Sequence, residues 1–195
     1  MSIIKFYHYY IKKCRKIKLK FFSRYYQALF NAPGEFILYY PIRLIEGFKY
    51  CQIGNNFISR SNLRLEVMSL LPNVTPQLII GNNVQLNDNV HIGCVNQIKI
   101  GNNVLIASNV FITDHSHGKI DSIQDLSIPA AKRKIYSKGG VIIGDNCWIG
   151  ENVSILPNVT IGENCVIGAN SVVTKSFPKN SIIAGSPAKI IKQLV

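Results

Sequence analysis

A chain of 195 residues with a formal charge of +12 is long enough for one domain with an appendage. Charged residues make up only 16% of it and hydrophobic residues 47%. The charged share is below the roughly 25% of an ordinary soluble domain, and a disordered chain, which needs the reverse balance, is excluded. The 30 Ile and 19 Asn together fill a quarter of the chain, which points to many turns between short apolar strands.

The charge is unevenly placed. Residues 1–34 carry eight Lys or Arg (Lys5, Lys12, Lys13, Arg15, Lys16, Lys18, Lys20, Arg24) and no acid, whereas residues 35–195 carry 14 basic and 10 acidic residues. The body is only mildly basic, and no nucleic-acid partner is expected. The five cysteines (Cys14, Cys51, Cys94, Cys147, Cys165) form no CxxC pair. Their number and spacing exclude a disulfide framework and a cysteine zinc site, and they fit a reducing compartment. No segment approaches the roughly 18 apolar residues of a membrane span, and the N-terminus lacks the apolar run of a signal peptide. A cytoplasmic protein is expected.

Residues 3–30 read as a helix. Ile3, Tyr7, Tyr10, Cys14, Ile17, Phe21 and Tyr25 trace one helical face, with Lys5, Lys12, Lys16 and Lys20 opposite. Nine of the 18 Phe and Tyr fall in residues 6–30. A basic, aromatic, amphipathic helix suits the inner, anionic surface of a membrane; its apolar face equally suits packing on its own domain or on a neighbouring subunit. Asn31-Ala-Pro-Gly34 ends the arm with breaker chemistry. The chain divides into this arm, residues 1–34, and a body, residues 35–192.

In the body a period of six appears. Ile143, Ile149, Ile155, Ile161, Ile167 and Val173 share one phase, with Asn146, Asn152, Asn158, Asn164 and Asn170 three residues after the first five. Cys147, Val153, Val159, Cys165 and Ser171 take the next place. The same phase runs through Ile80, Leu86 and Ile92, and again through Ile100, Ile106 and Ile112, with two residues inserted between Ile92 and Ile100. Ile53 also fits, and residues 35–52 read as an edge coil of weaker phase. Period six matches neither a helix nor a simple strand. It fits an all-β triangular solenoid in which each hexapeptide forms one side, the aliphatic residue points inward, and Asn turns the corner. The cysteines in phase are then small core residues.

The repeat breaks from Asp114 to Gly140. This 27-residue excursion opens with Thr113-Asp-His-Ser-His-Gly118 and closes on a basic stretch, Lys132, Arg133, Lys134 and Lys138. Loops of this length in compact domains are usually functional. His115 and His117 are suited to general-base work near neutral pH, with Asp114 or a carbonyl fixing a tautomer; a pair of solvated histidines or a two-ligand metal contact are the other readings.

These features resemble the hexapeptide-repeat acyltransferases with a left-handed parallel β-helix, and within them the sugar and polysaccharide O-acetyltransferases near the galactoside and maltose enzymes. The resemblance covers about residues 35–192. It implies acetyl-CoA as acyl donor, a sugar or glycan acceptor, a homotrimer with the coenzyme in the groove between subunits, and no metal. It implies a His base at the start of the extruded loop. The local Thr-x-His pattern selects His115, while running the register through the repeats selects His117, which is placed first. It further implies roles for Asn87 and Trp148 beside the substrate, where Asp114, next to the histidines, is also placed. Gly168, Ala169, Thr174, Lys175, Lys189 and Lys192 would lie along the coenzyme, the last two within and after the closing Ala184-Gly-Ser-Pro-Ala-Lys189 motif. The His-Pro dipeptide of the galactoside and maltose enzymes is absent, and the Asp-His-Ser-His-Gly form looks more like transferases of surface-polysaccharide biosynthesis.

Two other readings stand beside this one. A γ-class carbonic anhydrase on the same fold needs three metal-binding histidines, two of them five apart, whereas the close pair here is two apart. A non-catalytic scaffold would keep the coil for assembly alone.

Overall fold

Among the described residues, every non-glycine residue with a left-handed backbone is an asparagine, from Asn31 to Asn180. Asn adopts this conformation more readily than other non-glycine residues, so the residue type sets where the chain bends. In the computed structural model, which describes the backbone of residues 3–194 and the side chains of residues 11–194, these bends fold the body into a three-sided parallel coil. One side holds Phe36–Leu38, Phe57–Ser59, Gln85–Leu86, Leu105–Ile106, Trp148–Ile149, Val166–Ile167 and Ser181–Ala184, with Lys189–Gln193 added antiparallel as an eighth strand. The second side stacks six strands: Leu44–Glu46, Arg64–Val67, His91–Cys94, Phe111–Thr113, Ser154–Ile155 and Val172–Val173. The third stacks five: Cys51–Ile53, Gln77–Ile80, Gln97–Ile100, Val141–Ile143 and Val159–Ile161.

The chain visits the three sides in turn, so each strand pairs with one a full coil away. Corner asparagines continue the stacking outside the strands. The Nδ2 of Asn56 donates to Asn83, Asn83 to Asn103, Asn103 to Asn146, Asn146 to Asn164 and Asn164 to Asn180, at 2.8–3.1 Å. The aliphatic residues in phase fill the axis: Ile80, Leu86, Ile92, Ile100, Ile106, Ile112, Ile143, Ile149, Ile155, Ile161, Ile167 and Val173 are all at most 2% exposed. Each such burial contributes roughly 1.5–3 kcal/mol. Cys147 and Cys165 complete this core, and burial pushes the Cys147 thiol up to about 11 and that of Cys51 up to about 12.

The fold is not wholly β. Helix α1 (Ile3–Phe30) precedes the coil, and the excursion after Thr113 contains a short helix, Ile123–Ser127, and an antiparallel pair, Ser116–His117 with Ile135–Tyr136. The docking face of α1 is not the one traced by Ile17, Phe21 and Tyr25. It docks through Phe22, Ser23, Tyr26 and Phe30: Ser23 Oγ accepts from the Leu38 N–H at 2.9 Å, and the rings of Phe22, Tyr26 and Phe30 meet Tyr40, Phe48 and Phe36. Ile17, Phe21, Tyr25 and Leu29 stay exposed. The side chains of Ile3, Lys5, Tyr7 and Tyr10, assigned to the two faces in the sequence, lie outside the described residues.

Four interruptions of the coil leave from one corner, between the six-stranded and five-stranded sides. They are residues 47–50, residues 68–76, the pair Val95 and Asn96, and residues 114–140. A single extra residue, within 39–43, sits at the corner between the eight-stranded and six-stranded sides.

Candidate active site

The interrupted corner borders a cavity of about 450 Å³. Its floor is the outer face of the six-stranded side, where Arg64, Glu66, His91, Gly93, Phe111 and Thr113 point outward. Met68 and Leu70 of the nine-residue insertion, with His115, His117 and Ile135 of the long one, form the walls.

His115 is held from behind. Its Nδ1 lies 3.1 Å from Oδ1 of Asp114 and 3.1 Å from Oγ1 of Thr113. Asp114 is fully buried, and its carboxylate also accepts the N–H groups of Val95 at 2.9 Å and Asn96 at 2.8 Å. The two residues inserted between Ile92 and Ile100 therefore bring two amides to one carboxylate. Burial opposes the Asp114 charge, but the bonds from His115, Val95, Asn96 and Cys94 outweigh it and hold the carboxyl below its ordinary range. Ser137, on the returning arm of the excursion, donates its Oγ to the Asp114 carbonyl at 2.6 Å and so ties the two ends of the loop together. Gly93 leaves room for the imidazole: a Cβ there would stand 3.2 Å from His115 Cε1. With Nδ1 directed at Asp114, Nε2 of His115 makes no hydrogen bond among the described residues, and the ring can accept a proton there.

The positions singled out in the sequence fall into three groups. His115, His117 and Asp114 meet at this corner, although Asp114 is sealed beneath His115 with no surface of its own. His117 lies two residues on, exposed on the short antiparallel pair. The 53% exposed Trp148 belongs to the eight-stranded side and Asn87 directly follows its strand Gln85–Leu86; neither lines the cavity. Asn87 is off the left-handed corner position, which Asn89 takes. The third group lies at the C-terminal end of the coil. Gly168 and Ala169 follow the strand Val166–Ile167, Thr174 and the exposed Lys175 follow Val172–Val173, and Lys189 and Lys192 are exposed on the last strand. No three His, Cys, Asp or Glu side chains converge as a metal site among the described residues.

Arg64, Glu66, His91 and Gly93 were not singled out in the sequence, because each occupies an ordinary outward position of the repeat. The insertion carrying Met68 and Leu70 did leave a signal: the step from Ile53 to Ile80 exceeds one 18-residue coil by nine residues.

A three-sided solenoid of hexapeptides with a histidine at the mouth of its one long excursion defines a class, the hexapeptide acyltransferases. The family model for bacterial transferase hexapeptides (six repeats) matches residues 140–175. WbbJ of Escherichia coli (strain K12), whose name assigns it O-acetyl transfer in lipopolysaccharide biosynthesis, is 46% identical over 143 residues, spanning 72% of this chain and 70% of the relative. A maltose O-acetyltransferase of Clostridium difficile 630 is 30% identical, with a TM-score of 0.55 over 87% of this chain and 72% of that one. AntD, an N-acyltransferase of Bacillus cereus solved with dTDP and 3-hydroxybutyryl-CoA, shares the fold at a TM-score of 0.69 and 22% identity, covering 87% of this chain and 86% of that one. The chain belongs to the hexapeptide-repeat acyltransferase family, and membership implies the left-handed winding of the coil.

Proposed function

We propose that the protein moves an acetyl group from acetyl-CoA to a sugar hydroxyl, with His115 as the general base. The observation that carries this reading is the Asp114–His115 contact, a buried carboxylate 3.1 Å from Nδ1 of an imidazole that lines the cavity. The carboxylate keeps the proton on Nδ1, so Nε2 takes the proton of the acceptor hydroxyl as its oxygen attacks the thioester carbonyl. The carbon–sulfur bond breaks, and the proton passes on to the departing thiolate, giving free coenzyme A and an acetyl ester. His117, which the register through the repeats placed first, then sits at the rim, where it contacts the acceptor.

Asn87 and Trp148 lie on a different side from His115, so the site is completed by a second copy in a homotrimer. The eight-stranded side supports this with an outward ladder in register: Ile37, Ile58, Gln85, Leu105, Trp148, Val166 and Ile182, nearly all apolar. Lys189 and Lys192, with Lys175, give that end of the groove cations suited to the phosphates of the coenzyme, beside the small residues Gly168 and Ala169 and with Thr174 adjoining. The O-acetyl transfer named for WbbJ and the Asp-His-Ser-His-Gly loop support an acceptor in surface-polysaccharide synthesis. The exposed Ile17–Phe21–Tyr25–Leu29 stripe on a basic helix supports peripheral contact with an anionic membrane at its cytoplasmic face.

Incubating the purified protein with acetyl-CoA and a panel of sugars, with thiol release and product mass as readouts, tests the reaction. Sugar-dependent release of coenzyme A and an acetylated product are expected. Failure both to bind coenzyme A and to release thiol with any sugar would return the protein to the scaffold reading.

A further inference from the structure

The cavity has a second polar wall facing His115. Arg64 and His91 are opposite one another on adjacent strands, and Glu66 lies two residues from Arg64 on the same outer face. The Arg64 guanidinium grips Glu66 with Nε on Oε2 and with Nη2 on Oε1 at 3.0 Å, and Nε2 of His91 lies 2.8 Å from Oε2. Gly93 separates this wall from the base. A Cβ there would be 3.8 Å from His91 Nε2 and 3.2 Å from His115 Cε1, so the two imidazoles flank one bare stretch of backbone.

The coil does not need this cluster. Its strands are registered by backbone bonds, and partly exposed ion pairs contribute little to stability. The charges within the cluster cancel. Burial depresses the His91 imidazole and, against the pull of Glu66, keeps it below the ordinary histidine range, with Arg64 and Arg43 adding to the effect. Glu66 is held ionised: burial pushes it up, but the bonds from Arg64 and His91 outweigh that. Asp114 adds a further negative charge behind His115. Arg64 retains three N–H donors beyond those spent on Glu66, and Oε1 of Glu66 retains a lone pair, a donor and acceptor set that matches hydroxyl groups. Phe111, with its ring centroid 4.9 Å from that of His91, adds an apolar surface of the kind a sugar ring packs against.

We propose that Arg64, Glu66 and His91 form the acceptor-recognising wall, and that they select an uncharged sugar residue over one bearing a carboxylate. The proposal rests on the acyl-transfer reading of His115. A carboxylate-bearing sugar would meet Glu66, with the buried Asp114 adding negative potential from behind His115, while the Arg64 guanidinium that lines the cavity is already paired.

The test is binding, which does not need the base. Methyl glycosides of glucose and galactose and the matching methyl uronides are titrated into wild type, Glu66→Gln and His115→Ala by saturation-transfer NMR. Neutral glycosides are expected to bind wild type and His115→Ala alike, with uronides at least about tenfold weaker, the scale of one like-charge encounter in a partly wet cavity. Glu66→Gln frees the Arg64 charge and is expected to close most of that gap, with unfolding midpoint and coenzyme A affinity unchanged. Uronides binding wild type as well as neutral glycosides, no binding by any neutral glycoside, or an unaltered gap in a folded Glu66→Gln variant would overturn the proposal. Normal turnover by His115→Ala would instead remove the base assignment and leave the binding comparison standing.

Discussion

The backbone N–H of Asn96 donates to Oδ2 of Asp114 at 2.8 Å, and that bond joins an irregularity in one coil to the first buried residue of the excursion in the next. Val95 and Asn96 interrupt the period of six, and the interruption turns two amides toward a carboxylate that in turn orients His115. The proposed base, the acid that orients it and the amides that hold that acid charged come from two stacked turns of one corner.

This arrangement is the ground for proposing His115 rather than His117 as the base. His115→Ala is expected to lower turnover by roughly 10²–10⁴ with little change in acetyl-CoA binding. His117→Ala should alter the KM for the acceptor more than kcat. Steady-state kinetics on the two variants measure this, and the opposite ranking would move the base two residues along.

Gly93 offers a finer probe. In Gly93→Ala the new methyl group would crowd the His115 ring, since 3.2 Å is short for two carbons. The ring must shift by a few tenths of an ångström. Small misplacements of reacting groups are costly, so kcat should fall by about tenfold while the thermal midpoint barely moves. Unchanged kcat would show that the ring has slack.

Asp114 also links the site to acid stability. Its carboxyl titrates below the unfolded value in the native state, so the native protein binds fewer protons and this contribution to stability is lost as pH falls below about 4. Urea midpoints taken between about pH 6 and pH 3 should fall less steeply in Asp114→Asn than in wild type, from a lower starting value. Parallel profiles would show that the carboxyl is not held down.

The cysteines test the core. Cys51, Cys94, Cys147 and Cys165 are buried and burial raises each thiol, whereas Cys14 on α1 is partly exposed. A maleimide at neutral pH should label the native protein at Cys14, and denaturant should release the other four for labelling. Early labelling of Cys147 would contradict a closed coil.

The exposed stripe on α1 predicts flotation with vesicles containing phosphatidylglycerol and little with pure phosphatidylcholine. Replacing Phe21 and Tyr25 by Ser should abolish it without changing the oligomeric mass. Loss of the oligomer in that variant would assign the stripe to subunit packing.

Much of the coil was legible because its determinants are local. The inward Ile and the corner Asn repeat at fixed places, and Asn146 or Asn164 can be assigned without knowing any neighbour. The histidines were legible as a pair, because they stand where the repeat stops, but which of them meets a buried carboxylate was not. It depends on Val95 and Asn96, a full coil earlier in the chain, and no spacing shows which carboxylate two amides will meet. The face of α1 that docks on the body was hidden for a related reason. Amphipathicity identified a face rich in Ile and aromatic residues, but Ser23 meets Leu38 and Phe30 meets Phe36 and Phe48, partners supplied by the first coil. Arg64, Glu66 and His91 were hidden because an outward position of a hexapeptide accepts any polar residue, and only stacking shows that three of them adjoin.

Placing every long interruption at one corner has a consequence for variation. A strand on the six-stranded side and the next on the five-stranded side need only begin and end at fixed points; the chain between them is two, three, four, nine or 27 residues long without disturbing the stack. That edge works as an expansion joint. Segments exchanged there between relatives should re-specify the acceptor while the solenoid, indifferent to what hangs from it, folds as before.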